Sequence, residues 1–257
     1  MARPGSPLTR FGRPATLLRE CGSTQDIVRV AAAEGAAEGF VAVTDHQTDG
    51  RGRRGRTWDD EPGQSLMFSL LLRPTAPTAA LAPLALVIGI GLCEALSVAA
   101  RLRWPNDIVV GGAKVAGILT ELETPAGGDR YVIAGVGINA NTPRDRLPVT
   151  DRLPATSLLV ETGRPCDRLA LLHDVTESIT NAYRTWEESG FAALRERFAA
   201  LDDLAGHDVA LQLGGEAVTG RASGIDDAGR LIVVLTDGSE RRLDAGEVVR
   251  VGHDAGP

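Results

Sequence analysis

The chain has 257 residues, of which 43% are hydrophobic and 24% charged, and its formal net charge is -7. This composition is sufficient for a globular core, and the acidic balance argues against a broad nucleic-acid-binding surface. Cys21, Cys93 and Cys166 lie far apart without a CxxC pair, which argues against a disulfide framework and a zinc site.

The first part of the chain has the pattern of an α+β domain. Residues 1–14 carry no signal-peptide pattern, so we expect a flexible N-terminus and a cytoplasmic protein. Ser23 followed by Asp26 predicts an N-cap and the start of a helix. Further elements within residues 15–203 are strands at 40–47, 65–73, 107–112, 114–123 and 131–138, and a helix at 168–188.

One uncharged segment, residues 74–93, approaches the ~20 residues that a membrane span needs. It contains three prolines and two glycines and is rich in alanine. We therefore predict a buried core helix over residues 84–99 and no membrane contact.

From residue 206 to residue 252 the pattern changes to brief alternating runs separated by Gly- and Asp-rich turns. The predicted strands are 208–213, 217–225, 230–235, 240–243 and 247–251. This spacing indicates a second, small all-β domain.

The stretch QTDGRGRRGRTW, residues 47–58, contains four arginines and three glycines. A solvated basic loop and a nucleic-acid-binding segment are two interpretations, and the compact cluster in an acidic chain disfavours the second. A third is a loop that closes around a small polyanion, because glycine lets the backbone approach closely and guanidinium groups donate to phosphate or carboxylate oxygens. Such a loop becomes ordered when its ligand binds.

A second group of residues follows in RWPNDIVVGGAKVAGILTE, residues 103–121. Trp104–Asp107 interrupts a strand with residues that form turns, and Gly111-Gly112 predicts a hairpin. Lys114 begins an otherwise apolar strand. It could extend toward solvent from the strand end, or it could bind an anion beside the arginine loop.

The third group is GVGINAN, residues 135–141, whose GxGxxA spacing resembles a dinucleotide-binding turn. Asn141-Thr142-Pro143 cannot easily open a long helix, so we reject that interpretation. Glycines near a strand end still allow close approach of a ligand, and Asn139 offers a donor and an acceptor.

In their order along the chain, STQD at 23–26, the arginine loop, RWPND, KVAGIL at 114–119 and GVGINAN resemble the biotin protein ligase family. The resemblance spans about residues 15–250. It implies a mixed-sheet catalytic domain like that of class II aminoacyl-tRNA synthetases and biotin ligases, over residues 15–203, followed by an SH3-like β-barrel over 206–252. Gln25 replaces the Asn that is commoner in the family.

The resemblance implies an ATP-dependent ligase that forms biotinyl-5'-AMP and transfers biotin to a lysine of a carrier protein. ATP, Mg²⁺ and biotin would be the small molecules required. The partner would be the biotin carboxyl carrier domain of an acyl-CoA or pyruvate carboxylase. Only about twenty residues precede Ser23 and no helix-turn-helix pattern fits, so we expect no DNA binding and no repressor function. Both a homodimer and a monomer stay open.

The resemblance also assigns roles to residues, with no prediction of metal ligands. The catalytic residues would be Lys114, Arg51 and Asp107. Biotin would contact Ser23, Thr24, Gln25, Gln47, Gly50, Arg51, Gly52, Arg53, Lys114, Gly117, Leu119 and Gly135. ATP would contact Arg53, Arg54, Arg56, Trp58, Asn106 and Asn139.

Two alternatives remain for the function. A lipoate ligase or octanoyltransferase would share the fold, but those enzymes lack the arginine loop. The transferases also use a nucleophilic cysteine, and none of the three cysteines lies in a ligand motif. A nucleic-acid-binding module would use the arginine loop as a polyanion site and would be retained on a polyanion column at physiological salt.

Overall fold

The computed structural model describes residues 15–126, 128–150 and 153–252. The expected flexible segment 1–14 therefore lies outside the described residues. The helices are α1 (Thr24–Ala33), α2 (Leu84–Ala95), α3 (Leu158–Thr162), α4 (Arg168–Ser189) and α5 (Arg195–Leu201). The strands are β1 (Ala15–Leu18), β2 (Val41–Thr44), β3 (Leu66–Leu72), β4 (Arg101–Arg103), β5 (Asp107–Val110), β6 (Ala113–Glu123), β7 (Tyr131–Ile138), β8 (Asp208–Leu213), β9 (Glu216–Ile225), β10 (Leu231–Val234), β11 (Glu240–Leu243) and β12 (Glu247–Gly252).

The first seven strands form one mixed sheet in the order β1-β2-β3-β7-β6-β5-β4. β1 pairs parallel to β2, and the other neighbours are antiparallel. α1 covers one face through Val28 and Ala32, which pack against Leu71 and Ile133. α2 covers the other face and α4 packs against α2, on the side where most of the hydrophobic core lies. This is the α+β catalytic fold that the sequence predicts.

α2 is the core helix expected from the uncharged segment. Residues Thr78–Ala95 are long and apolar enough for a membrane span by composition, with mean hydropathy 1.8, and 61% of this segment is buried in the protein. Gly91 allows α4 to approach closely, because a Cβ there would lie 2.6 Å from the Cα of Ile179. The helix ends at Ala95 and not at residue 99, since Leu96 already has an extended backbone.

The last five strands form a separate antiparallel sheet in the order β11-β10-β9-β8-β12, as expected for a small SH3-like domain. Its five strands match the five predicted runs within one residue at each end. The sheet contacts the first domain directly: Trp104 Nε1 donates a hydrogen bond of 3.1 Å to the carbonyl oxygen of Gly229. The domain limits 15–203 and 206–252 stay a prediction.

Candidate active site

A cavity of about 340 Å³ lies beside β6 and β7, between the start of α1, the arginine loop and β12. Most of the site residues predicted from the sequence line it. They are Ser23, Thr24, Gln25, Gln47, Arg51, Gly52, Arg53, Arg56, Trp58, Asn106, Asp107, Lys114, Gly117, Leu119, Gly135 and Asn139. Gly50 and Arg54 are the predicted site residues that do not line the cavity.

The start of α1 forms the polar end of the cavity. Ser23 caps the helix, and Ser23, Thr24 and Gln25 are all buried. The side-chain oxygen of Gln47 accepts hydrogen bonds from Thr24 N at 2.9 Å, Thr24 Oγ1 at 3.1 Å and Ser23 Oγ at 3.4 Å. The Thr24 hydroxyl also bonds to Ser69 at 2.7 Å. Hydroxyl and amide groups are thus held together where a polar ring can be recognised.

Gln25 extends from α1 across the sheet. Its Nε2 donates to the carbonyl oxygen of Leu119 at 3.4 Å. A Cβ at Gly135 would lie 3.0 Å from Gln25 Cδ, so the glycine leaves room for the longer amide. The substitution of Gln for the commoner Asn is therefore accommodated by contact with β7.

The four arginines of the loop do not all face the same direction. Arg51 pairs with Asp26 on α1, with Nη2 at 2.8 Å from Oδ1. Arg53 Nη1 donates to Asn106 Oδ1 at 3.2 Å. Arg54 and Arg56 instead reach Glu247 of β12, at 3.0 and 3.3 Å. The second domain thus supplies an acidic contact for the loop, which the sequence did not predict.

Arg53 has an incompletely compensated positive charge. Burial lowers the pKa of its guanidinium, and the nearby charge of Arg54 lowers it further. Arg54 itself has a left-handed backbone, with φ of 61°, which is uncommon for a residue other than glycine. A loop that brings several cations together in this way is suited to receiving an anion.

Trp58 at the end of the loop packs onto two glycines of the sheet. A Cβ at Gly137 would lie 2.5 Å from its ring, and one at Gly117 would lie 2.8 Å away. The sequence predicted close approach of a ligand at Gly137, and the resemblance implied a biotin contact at Gly117, whereas here the indole occupies the space beside both glycines. Among the described residues Trp58 Nε1 has no hydrogen-bond partner.

Lys114 and Asp107 form an ion pair on the cavity wall, with Nζ at 2.6 Å from Oδ1. Their side chains are 28% and 19% exposed, so both are half-buried. Lys114 Nζ also lies 5.3 Å from the centre of a Trp58 ring, within the range of a cation–π contact. The lysine therefore joins the arginine loop at the cavity, as the anion-binding interpretation predicts.

Asn106 and Asn139 both make structural hydrogen bonds. Asn106 Nδ2 donates to the carbonyl oxygen of Ile118 at 2.7 Å, and Asn139 Nδ2 donates to that of Thr156 at 2.9 Å. Asn139 is 5% exposed. Only a small part of the Asn139 side chain is therefore accessible for the predicted contact with adenine.

Several cavity residues escaped prediction from the sequence. The cavity is also lined, outside any recognisable motif, by Asp59, Pro148, Leu153, Gly246 and the β12 residues Glu247, Val248 and Val249. The described part of the chain contains no group of three or more His, Cys, Asp or Glu side chains arranged for a metal ion. Asp26 was predicted only as an acidic residue in the first turn of a helix, and Asp60 belongs to no motif, yet both contact the arginine loop or its base.

The chain matches known proteins along both domains. A model of the Biotin/lipoate A/B protein ligase family matches residues 23–139, and one of the Biotin protein ligase C terminal domain matches residues 206–251. The biotin–(acetyl-CoA-carboxylase) ligase of Mycobacterium tuberculosis is 30% identical over 249 residues, covering 93% of this chain and 90% of that protein. The bifunctional ligase/repressor BirA of Bacillus subtilis is 32% identical over 227 residues, covering 87% of this chain and 70% of that protein.

Solved structures agree with the sequence matches. The biotin protein ligase from Aquifex aeolicus in complex with biotin and ATP superimposes with a TM-score of 0.75 and 29% identity, covering 92% of this chain and 97% of that one. The Leishmania major enzyme in complex with biotinyl-5-AMP gives a TM-score of 0.62 and 25% identity, covering 90% and 98%.

The sheet, the arginine loop and the cavity between the two domains define an enzyme of the protein-ligase class, which attaches small acids to other proteins. Within that class, the matches cover enough of the chain, at sufficient sequence identity, to show the family. The chain belongs to the biotin protein ligase family.

Proposed function

We propose that this enzyme activates biotin as biotinyl-5'-AMP and transfers the biotinyl group to a lysine of a biotin carboxyl carrier protein. In the first step a carboxylate oxygen of biotin attacks the α-phosphorus of ATP and pyrophosphate leaves. In the second, the neutral amine of the carrier lysine attacks the biotinyl carbonyl, AMP leaves, and the amine loses a proton. The relatives named as biotin–(acetyl-CoA-carboxylase) ligases support this assignment.

One observation carries the proposal: the polar end of the cavity at α1 and the cations of the arginine loop and Lys114 line the same space. Biotin carboxylate and ATP phosphates are both anionic, and a unit pair of like charges about 4 Å apart costs roughly 4 kcal/mol at an effective dielectric near 20. Fixed cations between them offset that repulsion.

We assign biotin's ring to Ser23, Thr24, Gln25 and Gln47, and its carboxylate to the neighbourhood of Lys114 and the loop. In this assignment Arg51, Arg53 and Arg56 contact the phosphates, and Arg54 does so only if it leaves Glu247. Trp58, Asn106 and Asn139 lie toward the nucleotide. Asp107 accepts a proton from the carrier lysine or orients ATP.

Mg²⁺ enters with ATP in this proposal. Acidic side chains are few on the cavity wall: Asp107 is paired with Lys114, and Glu247 with two arginines. Asp59 and Asp107 are the carboxylates that would approach a phosphate-bound ion. The ion would supply charge neutralisation on the phosphates.

We also propose that the chain acts as a ligase without a repressor function. The net charge of -7 and the direction of the arginine loop, toward the cavity and Glu247, support this. A gel-shift experiment at physiological salt checks it, and sequence-specific DNA retention contradicts it.

The test of the main proposal is the mass of a biotin carrier domain after incubation with the enzyme, biotin and MgATP. We expect one biotinyl group per domain and biotin-dependent release of pyrophosphate. Lipoate in place of biotin serves as the matched control. Modification with lipoate alone, or transfer without ATP, contradicts the proposal.

A further inference from the structure

A buried carboxylate lies at the base of the arginine loop, outside the residues assigned above. The Asp60 side chain is 1% exposed. Its Oδ1 accepts a hydrogen bond from Gln47 N at 3.2 Å, and its Oδ2 lies 3.1 Å from His46 Nδ1. Burying a carboxylate is costly unless it is hydrogen-bonded, so these two contacts are what allow it to stay there.

Asp60 joins the two ends of the loop. His46 and Gln47 precede the arginines, whereas Asp60 follows Trp58 by two residues. Closer to the tip, a backbone hydrogen bond also joins the two sides of the loop: Trp58 N donates to the carbonyl oxygen of Gly50 at 2.9 Å. The carboxylate thus connects the incoming and outgoing segments near the base of the loop, next to the backbone hydrogen bond of 2.9 Å from Gly63 N to the carbonyl oxygen of Asp45.

The contact also fixes the ring of His46. An ionised carboxylate can only accept a hydrogen bond, so in this contact His46 Nδ1 is the donor to Asp60 Oδ2. The carbonyl oxygen of His46 is held separately, by Cys21 N at 3.2 Å and Thr44 Oγ1 at 3.0 Å. Gln47 therefore extends from a backbone that is fixed on several sides.

Gln47 transmits this position to the start of α1. Its side-chain oxygen accepts from Thr24 N, Thr24 Oγ1 and Ser23 Oγ. A carbonyl oxygen has two lone pairs, so three donors can share it only in a narrow range of positions. A small displacement of Gln47 would release at least one hydroxyl.

We propose that Asp60 is a positioning residue for biotin recognition, which it achieves by holding Gln47 against Ser23 and Thr24. It does not touch the ligand itself. The inference rests on the proposed biotin site at α1. It adds a carboxylate, and its partner His46, that belong to none of the motifs recognised in the sequence.

The test is the Kd for biotin measured by calorimetry without nucleotide. Asp60→Ala removes both contacts, and we expect binding about tenfold weaker, as for loss of a buried hydrogen-bond partner. Asp60→Asn keeps an acceptor for Gln47 N but places an amide against His46, and we expect roughly threefold weaker binding. In turnover assays the KM for biotin rises more than kcat falls.

Asp129→Ala is the matched control, because Asp129 is an exposed carboxylate on the turn between β6 and β7. It should bind biotin as the wild type does. Thermal unfolding of each variant shows whether it is folded. Wild-type affinity in a folded Asp60→Ala overturns the inference; if that variant does not fold, wild-type affinity in Asp60→Asn does so.

Thr24→Val distinguishes an error in the proposed biotin site from an error in the role proposed for Asp60. If it leaves the Kd for biotin unchanged, the biotin site at α1 is wrong. If Thr24→Val weakens binding while the Asp60 variants bind normally, the site stands and only the positioning role of Asp60 is overturned.

Discussion

At the residue scale, Lys114 and Asp107 form an ion pair on the cavity wall, and each neutralises the charge of the other. Replacing Lys114 by Ala removes a cation and leaves Asp107 unpaired where two anionic reactants meet. We predict that Lys114→Ala raises the barrier to adenylate formation by ~2–4 kcal/mol, as for loss of one preorganised charge donor. Biotin-dependent exchange of pyrophosphate into ATP measures this step.

The double variant Lys114→Ala with Asp107→Asn identifies the cause. If Lys114 acts only by neutralising Asp107, the double variant recovers most of the activity. If Lys114 stabilises the developing charge itself, the double variant stays impaired. Adenylate formation at the wild-type rate in Lys114→Ala would remove this lysine from the mechanism.

The glycines of the sheet show what residue patterns can and cannot predict. The GVGINAN motif marked Gly137 as a position where a neighbour can approach the backbone closely, and the family resemblance placed Gly117 in the biotin site. They did not identify that neighbour as Trp58, which is separated from Gly137 by 79 residues. A sequence motif can indicate that space is needed beside a glycine, whereas only the fold determines which side chain fills that space.

At the scale of elements, the arginine loop behaves as one unit held at its base and at its tip. Arg53 contacts Asn106, while Arg54 and Arg56 contact Glu247. Burial lowers the pKa of Arg53, and the charges of Arg54 and Arg56 lower it further, so its charged form would gain from an added anionic counterion. An anionic intermediate in the cavity would supply that counterion and would be retained by it.

We therefore predict that Arg53→Gly releases biotinyl-5'-AMP into solution, because the variant loses a cation at the cavity and loosens the loop. The free acyl adenylate, a mixed anhydride, would acylate lysines of unrelated proteins, with AMP as the leaving group. Mass spectrometry of a bystander protein, such as serum albumin, measures this modification. Arg195→Gly is the matched control, since Arg195 pairs with Asp227 on an exposed surface. Bystander modification equal to that of the wild type would mean that Arg53 does not retain the intermediate.

Element prediction succeeded for α4 and for all five strands of the second sheet, where apolar positions recur or turn residues mark the ends of the runs. It missed β1 and β4, which have four and three residues, and the short helices α3 and α5. Length alone does not explain these misses, because β2, β5, β10 and β11 also have four residues and were predicted. β1 and β4 are defined mainly by their neighbours in the sheet, and local sequence carries little of that information.

At the scale of the whole molecule, the second domain supplies part of the wall of the cavity in the first. β12 provides Glu247 to the arginine loop, and the carbonyl oxygen of Gly229 accepts from Trp104, next to Asn106 and Asp107. Both domains were predicted from the sequence, but their contacts were not. Such contacts join residues more than a hundred positions apart and leave no local pattern.

The segment between α5 and β8 contains two neighbouring carboxylates with different surroundings, Asp202 and Asp203. Asp203 is paired with Arg103, and both side chains are largely buried. Asp202 accepts a hydrogen bond from Leu204 N through Oδ1, but among the described residues its buried Oδ2 has no hydrogen-bond partner. Burial raises the pKa of Asp202. The folded state therefore opposes ionisation of Asp202, whereas Asp203 has a cationic partner in Arg103.

We predict that Asp202→Asn raises the Tm at neutral pH by a few degrees, because the amide carries no charge to bury. A raised pKa in the folded state costs nothing below the pKa of the unfolded carboxyl. The cost grows as pH rises toward the folded pKa and is constant above it. The stabilisation by Asp202→Asn should therefore shrink as the pH is lowered from the folded pKa to the unfolded pKa of the Asp202 carboxyl.

Asp203→Asn should have the opposite sign and destabilise the protein by on the order of 3 kcal/mol, since it leaves Arg103 buried without its partner. Thermal unfolding of both variants across this pH range measures the two effects, and destabilisation by Asp202→Asn at neutral pH would show that its carboxylate is compensated in the folded protein.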